Sequence, residues 1–137
     1  MCYFLYGTID GDVNTNLFNN LNNKKYFRFK LGTYTDLITS IKMETDIYRL
    51  TTGMCDCDTH IGSNKTSSKE INEYSEFIQS LNELKNIKNL YICKKWYNEE
   101  IEENIELHID DIEDLNAFFA NMKPNILYKI GVYKKYY

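Results

Sequence analysis

The chain has 137 residues, a formal net charge of −4 and an aromatic content of 15%. This length fits one domain with a hydrophobic core, so we predict a single domain over residues 1–137. One proline and six glycines exclude a linker-rich or disordered chain. The apolar run at the amino terminus is too short for a signal peptide or a membrane span, so we expect a cytoplasmic protein with reduced cysteines and no membrane partner.

The first half of the chain is predicted to be mainly strand. Residues 2–9 are apolar without alternation, which is typical of a central strand buried on both faces. A short helix is predicted over residues 14–22. Residues 25–31 alternate between apolar and polar side chains, which predicts a second strand. Residues 37–43 also fit one helical turn, but we assign them as a strand that forms a hairpin with residues 47–52.

The longest helix is predicted to begin near residue 67. Ser67 and Glu70 fit a capping box, in which each side chain accepts a hydrogen bond from the other residue's backbone N–H group. Apolar residues then recur at helical spacing to about residue 85. They are Ile71, Tyr74, Phe77, Ile78, Leu81 and Leu84. An alternating strand is predicted directly after this helix, over residues 88–95.

A strand, a helix and a strand are predicted in the last part of the chain. Residues 105–109 alternate as a strand. Asp110 and Glu113 fit a second capping box, and Pro124 lies where this helix must end. Residues 126–135 alternate again and form the last predicted strand.

The order of these elements predicts an α+β fold. Strands and helices interleave irregularly, which favours a mainly antiparallel mixed sheet of about five to seven strands, two longer helices and one short helix. A ferredoxin-like arrangement is the simplest version of such a fold. The sequence contains no internal repeat and no low-complexity linker that would mark a domain boundary.

Two cysteines and a histidine lie close together in the stretch C-D-C-D-T-H. Thiolate and imidazole suit zinc, so Cys55, Cys57 and His60 are candidate metal ligands. Cys93, Cys2, an aspartate or water would supply the fourth ligand. Structural zinc sites usually contain two ligand pairs and this turn has one, so the sequence favours no metal and no other cofactor. The simpler interpretation is that one cysteine packs as a small buried hydrophobic residue while the others line a turn.

The segment after this turn has the composition of a weak anion site. Ser63, Lys65, Thr66 and Ser67 precede the long helix, whose positive amino-terminal end favours an anion. The segment lacks the glycines of a phosphate-binding P-loop. Ordinary helix capping explains its hydroxyl groups without a ligand, and this is the preferred interpretation.

The charges of the chain are unevenly distributed. Nine of the twenty carboxylates lie in residues 98–121, where there is no Lys or Arg, so the rest of the chain has eleven acidic and sixteen basic residues. Four of the nine are explained by the first turn of the second long helix. The others form an acidic segment, residues 99–106, that we predict to bind a protein partner with a basic surface. They are Glu99, Glu100, Glu102, Glu103 and Glu106.

Basic and aromatic residues support an opposite interpretation, in which the protein binds nucleic acid. Lys94 and Lys95 precede Trp96 and Tyr97, and such a group could stack bases and neutralise phosphates. A pI near 5.2 disfavours this function. Aromatic residues at strand ends and in the carboxy-terminal tail are difficult to bury within one chain, so we also expect a homo-oligomer, most simply a homodimer.

The residue patterns identify no catalytic constellation. We therefore expect a small cytosolic, non-catalytic binding or inhibitory protein that acts through surface complementarity. Asn, Ile, Lys and Tyr dominate the composition, and their AT-rich codons suit an inhibitor from a phage or mobile element of a low-GC bacterium. The alternative is a small-ligand or anion-binding protein, or a thiol- or metal-dependent enzyme, centred on residues 55–65.

Overall fold

The computed structural model describes residues 2–12, 19, 29–32, 47–50 and 55–134, with residues 29–32 described by their backbone. Besides the single helical residue Asn19, these residues form six strands, two α-helices and one 3-10 helix. The strands are β1 (Tyr3–Gly11), β2 (Phe29–Gly32), β3 (Ile47–Arg49), β4 (Ile87–Trp96), β5 (Glu103–His108) and β6 (Ile126–Gly131). The helices are α1 (Lys69–Asn82) and α2 (Leu115–Ala120), and the 3-10 helix is Ile109–Asp111.

The strands form one sheet in the order β2-β3-β1-β4-β6-β5. Neighbouring strands are antiparallel except β5 and β6, which are parallel. The predicted α+β class and the mixed, mainly antiparallel sheet are confirmed. Helix α2 has six residues and is shorter than predicted. The ferredoxin-like arrangement and the total number of strands are not confirmed, since part of the chain lies outside the described residues.

Strand β1 lies inside the sheet, as its apolar sequence predicts. It pairs with β3 on one side and with β4 on the other. At Gly7 a Cβ atom would lie 2.9 Å from the backbone oxygen of Tyr91, so a side chain there would push the strands apart. The backbone N–H of Tyr97 donates to the oxygen of Cys2 (2.9 Å), which fixes the start of β1 against the end of β4.

Helices α1 and α2 pack against the sheet through the main hydrophobic core. Ile71, Ile78 and Leu81 of α1 are buried in one cluster with Phe119 of α2 and with Ile92 of β4. The helical spacing predicted for α1 is therefore confirmed, because its apolar residues line the face that contacts the sheet.

Strand β4 is buried on both faces. Leu90 and Ile92 belong to the main core, whereas Tyr91 and Cys93 pack with Leu127 in a second cluster. This division confirms the alternation predicted for the strand, since successive side chains of a strand point to opposite faces of the sheet.

Both α-helices begin later than the sequence predicted. Ser68, not Ser67, caps α1, and its hydroxyl oxygen accepts a hydrogen bond from the backbone N–H of Ile71 (3.1 Å). Asp114, not Asp110, caps α2. Both predicted capping boxes are therefore wrong.

Side chains with other partners explain these later starts. His108 Nδ1 accepts a hydrogen bond from the backbone N–H of Asp110 (3.1 Å), which caps the 3-10 helix after β5 instead of an α-helix. The carboxylate of Glu70 accepts hydrogen bonds from the Thr59 hydroxyl and from the backbone N–H of His60 (3.0 Å). Glu70 thus joins α1 to the turn that contains the cysteines.

Several predicted elements fall partly or wholly outside the described residues. The strand predicted over 37–43 lies outside them, and so does the helix predicted over 14–22 except for Asn19, which is helical. Residues 25–28, 51–52 and 135 of other predicted strands also lie outside. Neither α-helix in the described part of the chain has the length or hydrophobicity that crossing a membrane requires.

Candidate functional site

Three thiols converge next to the start of β1. Cys2 precedes the strand, and the segment with Cys55 and Cys57 runs beside it. The backbone N–H of Asp56 donates to the oxygen of Tyr3 (2.8 Å), and the N–H of Tyr3 donates to Cys57 Sγ (3.4 Å). The three sulfur atoms all lie within 4.8 Å of one another. We call Cys2, Cys55 and Cys57 the thiol cluster.

Asp56 anchors this cysteine segment to the sheet. It is buried, and its Oδ2 accepts hydrogen bonds from the backbone N–H of Leu5 (2.7 Å) and from Arg49 Nη2 (3.1 Å). The backbone oxygen of Asp56 also accepts from the N–H of Thr59 (3.2 Å), which closes a turn at Cys57 and Asp58. The aspartate between the two cysteines therefore fixes their backbone against β1.

The thiols of the cluster differ in acidity. Hydrogen bonding to Cys55 raises the pKa of Cys2 to about 11, because the Cys2 thiol must keep its proton to donate it. The backbone N–H of Cys57 lowers the pKa of Cys55, and hydrogen bonds with the Cys2 and Cys57 thiols lower it further. Cys55 is therefore the cysteine of this hydrogen-bonded pair that holds a thiolate more readily.

The structure does not bring His60 and Cys93 into the cluster. His60 Nδ1 lies 3.9 Å from Glu70 Oε2, and the backbone N–H of His60 donates to the same carboxylate (3.0 Å). Cys93 is fully buried in the middle of β4, and burial raises the pKa of its thiol to about 12. Of the metal ligands that the sequence suggested, the structure thus brings together Cys55, Cys57 and Cys2, and leaves out His60 and Cys93.

A buried lysine lies beside the cysteine segment. Lys94 Nζ donates to the backbone oxygen of Ile61 (2.9 Å) and lies 5.1 Å from the ring centroid of Tyr3. Burial lowers the pKa of Lys94, whereas electrostatic interactions with Cys57, Glu70 and Asp56 oppose this shift. Lys94 and Lys95 are 8% and 2% exposed, so neither presents its charge on a nucleic-acid-binding surface as the alternative interpretation requires.

The predicted anion segment uses its polar groups locally. The Ser63 hydroxyl donates to the backbone oxygen of His60 (2.6 Å) and accepts from the N–H of Lys65 (3.3 Å). Thr66 and Ser67 are exposed. Turn formation explains the Ser63 hydroxyl, and anion binding here remains a prediction.

The acidic segment leads into β5 at one end of the sheet order. Within the described residues β5 pairs with β6 and has no second neighbour. The five glutamates are exposed, and Glu106 Oε1 lies 3.5 Å from Lys129 Nζ of β6. In the described part of the chain no other basic side chain lies within 4 Å of their carboxylates.

Asn125 holds the beginning of the acidic segment in place. This residue is 4% exposed and has a φ of 61°. Its side-chain oxygen accepts from the backbone N–H of Trp96 (2.8 Å), and its side-chain NH₂ donates to the carboxylate of Glu99. Its backbone oxygen accepts from the N–H of Glu102 (2.8 Å), and its N–H donates to Lys94 O (2.8 Å). The dipeptide after α2, Pro-Asn, is a turn signal that could have indicated this role.

An open cavity of about 840 Å³ lies where the 3-10 helix and α2 meet α1. Ser75 donates to Asn116 Oδ1 (2.5 Å), and Asn116 donates to Asn72 Oδ1 (2.6 Å) across the two helices. These bonds pair Ser75 and Asn116 of the cavity wall within the protein.

A scan against protein-family models finds no match, and searches of curated proteins and of solved structures find none either. Function must therefore be inferred from the thiol cluster and the acidic segment themselves.

Proposed function

We propose that this protein is a small, non-catalytic binding or inhibitory protein whose acidic segment docks on a basic surface of a protein partner. The observation that carries the proposal is the exposure of five glutamates in eight residues, one of which has a basic residue within 4 Å in the described part of the chain. The carboxylates of Glu100, Glu102 and Glu103 are exposed and are the charges that we assign to a partner. We place the protein in the cytoplasm, and its composition suits an inhibitor from a phage or mobile element.

The Asn125 contacts favour binding, because they order the segment before a partner arrives. Glu99 is held through its side chain and Glu102 through its backbone. A binding surface that is already ordered loses less conformational entropy on association. Ordering of the segment therefore opposes complex formation less than it would for a flexible acidic loop.

Unneutralised carboxylates also act at a distance. A surface of one charge raises the rate of encounter with an oppositely charged partner by about 10- to 1,000-fold at low salt. We therefore assign the main effect of the acidic segment to the association rate. A basic partner would also cover the side of β5 that has no neighbouring strand among the described residues, where charged side chains otherwise protect a strand from pairing with other chains.

Charge reversal tests this function. The partner is first captured with the full chain and identified from cross-links to residues 99–106. The variant E100K/E102K/E103K should then associate with that partner at least about 10-fold more slowly, because the steering field is reversed.

A matched control is the variant E73K/E76K/E83K, which changes the net charge equally at exposed positions in and just after α1. It should associate within about twofold of the wild-type rate if position rather than total charge matters. Equal slowing of both triple variants would contradict a specific acidic docking surface. So would cross-links that map only to other parts of the chain.

A further inference from the structure

We infer that Cys2, Cys55 and Cys57 form a binding site for one thiophilic closed-shell metal ion, zinc(II) or copper(I). The inference is independent of the acidic segment. It rests on the convergence of three sulfur atoms from two parts of the chain that are more than fifty residues apart. Thiolate sulfur is a soft ligand that selects such ions over magnesium, calcium or manganese.

The sulfur atoms are already near the separations that a shared ion requires. Sulfurs bound to zinc at about 2.3 Å are about 3.8 Å apart in a tetrahedral site. The three thiols lie within 4.8 Å of one another. Each pair of sulfurs would therefore need to approach by at most about 1 Å to share one ion.

The backbone around the thiol cluster is fixed independently of any metal. Asp56 is held by Leu5 and Arg49, and Cys2 O is held by Tyr97 N. A site whose supporting residues are already ordered keeps its ligands close to the geometry of the bound state.

Packing alone does not account for these three cysteines. Cys57 is exposed, and Cys2 and Cys55 are half-buried, so they are not small hydrophobic residues of the core. Cys93 does fit that description, since it is fully buried in an apolar cluster. The structure therefore separates one packing cysteine from three clustered cysteines.

Metal binding would displace the protons of the coordinating thiols, because a coordinated thiol is deprotonated.

The number of ligands distinguishes the two ions. Zinc with three protein ligands keeps a fourth position for water, whereas copper(I) is also stable with three thiolates. Within the described residues, no His, Cys, Asp or Glu joins the three sulfurs in one such group. Both ions fit the donor set, so the experiment tests them separately.

The full chain, purified under reducing and anaerobic conditions, should be titrated with zinc(II), with cobalt(II) as a spectroscopic substitute, and with copper(I). We expect one ion per chain by elemental analysis and protection of three thiols from alkylation. The variants C2S, C55S and C57S should each weaken binding at least about 100-fold, because each removes one of only three ligands.

The variants H60Q and C93A are the controls and should bind within about threefold of wild type. Zinc binding with a tetrahedral cobalt(II) spectrum assigns water as the fourth ligand, and copper(I) binding without zinc binding assigns a three-coordinate site. Wild-type protein that binds neither ion at micromolar concentration overturns the inference. H60Q that weakens binding as much as C2S also overturns it. If a variant fails to fold, protection of the three wild-type thiols from alkylation by added metal still tests the site.

Discussion

The two aspartates of the cysteine segment have opposite environments. Asp56 is buried against Arg49 and the backbone of Leu5, whereas Asp58 is exposed. A buried carboxylate that pairs with a guanidinium is costly to remove, because the guanidinium loses a buried partner of opposite charge. The repeated Cys-Asp pattern therefore combines one structural and one solvent-facing carboxylate.

We predict that D56A lowers the free energy of unfolding by about 3–5 kcal/mol, since it leaves Arg49 and the N–H of Leu5 without this acceptor. The exposed control D58A should change it by no more than about 0.5 kcal/mol. Urea denaturation followed by far-UV circular dichroism measures both values. Equal stability of the two variants would show that Asp56 does not anchor the segment.

Cys93 illustrates how burial controls thiol chemistry. Burial raises its pKa from 9.0 to about 12, so the folded protein keeps this thiol neutral up to strongly alkaline pH. The unfolded chain ionises the same thiol near pH 9. Its contribution to stability is therefore fully present below pH 9 and is lost as the pH rises towards 12.

Iodoacetamide should modify Cys57 much faster than Cys93 in the folded, metal-free protein at pH 8. Cys57 is exposed and Cys93 is fully buried, and alkylation requires an accessible thiolate. Mass spectrometry of peptides from a time course measures the two rates, with unfolded protein as the control in which the rates converge. Equal rates in the folded protein would contradict the burial of β4.

At the scale of elements, one residue between α2 and β6 orders the segment that joins β4 to β5. Asn125 bonds to Trp96 and Glu99 through its side chain. Its φ of 61° is a conformation that asparagine and glycine tolerate better than other residues. The N125G variant therefore removes the side-chain hydrogen bonds without adding backbone strain.

In N125G we expect faster amide hydrogen exchange over residues 96–102, because the N–H of Trp96 and the side chain of Glu99 lose their partner. Exchange in α1 should stay unchanged and serves as the internal control. Hydrogen exchange with mass spectrometry measures both regions. Unchanged exchange over residues 96–102 would show that Asn125 does not order the acidic segment.

The sequence predicted elements best where periodicity was strong. The spacing in α1 and the alternation in β4 identified buried faces because these patterns depend on local geometry. The helix starts were less predictable, since Glu70 and His108 have tertiary or neighbouring partners that compete with a capping box. The order of the strands in the sheet also depends on pairing between distant segments.

At the scale of the whole molecule, the candidate sites were only partly predictable. The C-x-C pattern identified Cys55 and Cys57, but the third thiol is more than fifty residues away in the sequence. The charge pattern identified the acidic segment, whereas its contact with Asn125 depends on how β4 and β6 pair. Local composition therefore indicated which segments contain the candidate sites, and the fold determined which residues share a site.

The exposed tyrosines still predict self-association. Tyr97 and Tyr133 are 59% and 46% exposed, which is high for large aromatic side chains. We expect a homodimer, and replacing both with serine should shift the equilibrium towards monomer. Light scattering across a broad range of concentrations measures the mass, and a monomer mass at every concentration for the wild type would contradict this prediction.

We propose that the acidic segment steers the protein to a basic partner. The association rate of the wild-type protein with the captured partner, measured as ionic strength rises, tests this steering. The Debye length falls from about 10 Å at 0.1 M to about 3 Å at 1 M, so the rate should fall steeply while unfolding stability stays nearly constant. In E100K/E102K/E103K this decrease should disappear or reverse. A wild-type association rate that is independent of salt would contradict the claim.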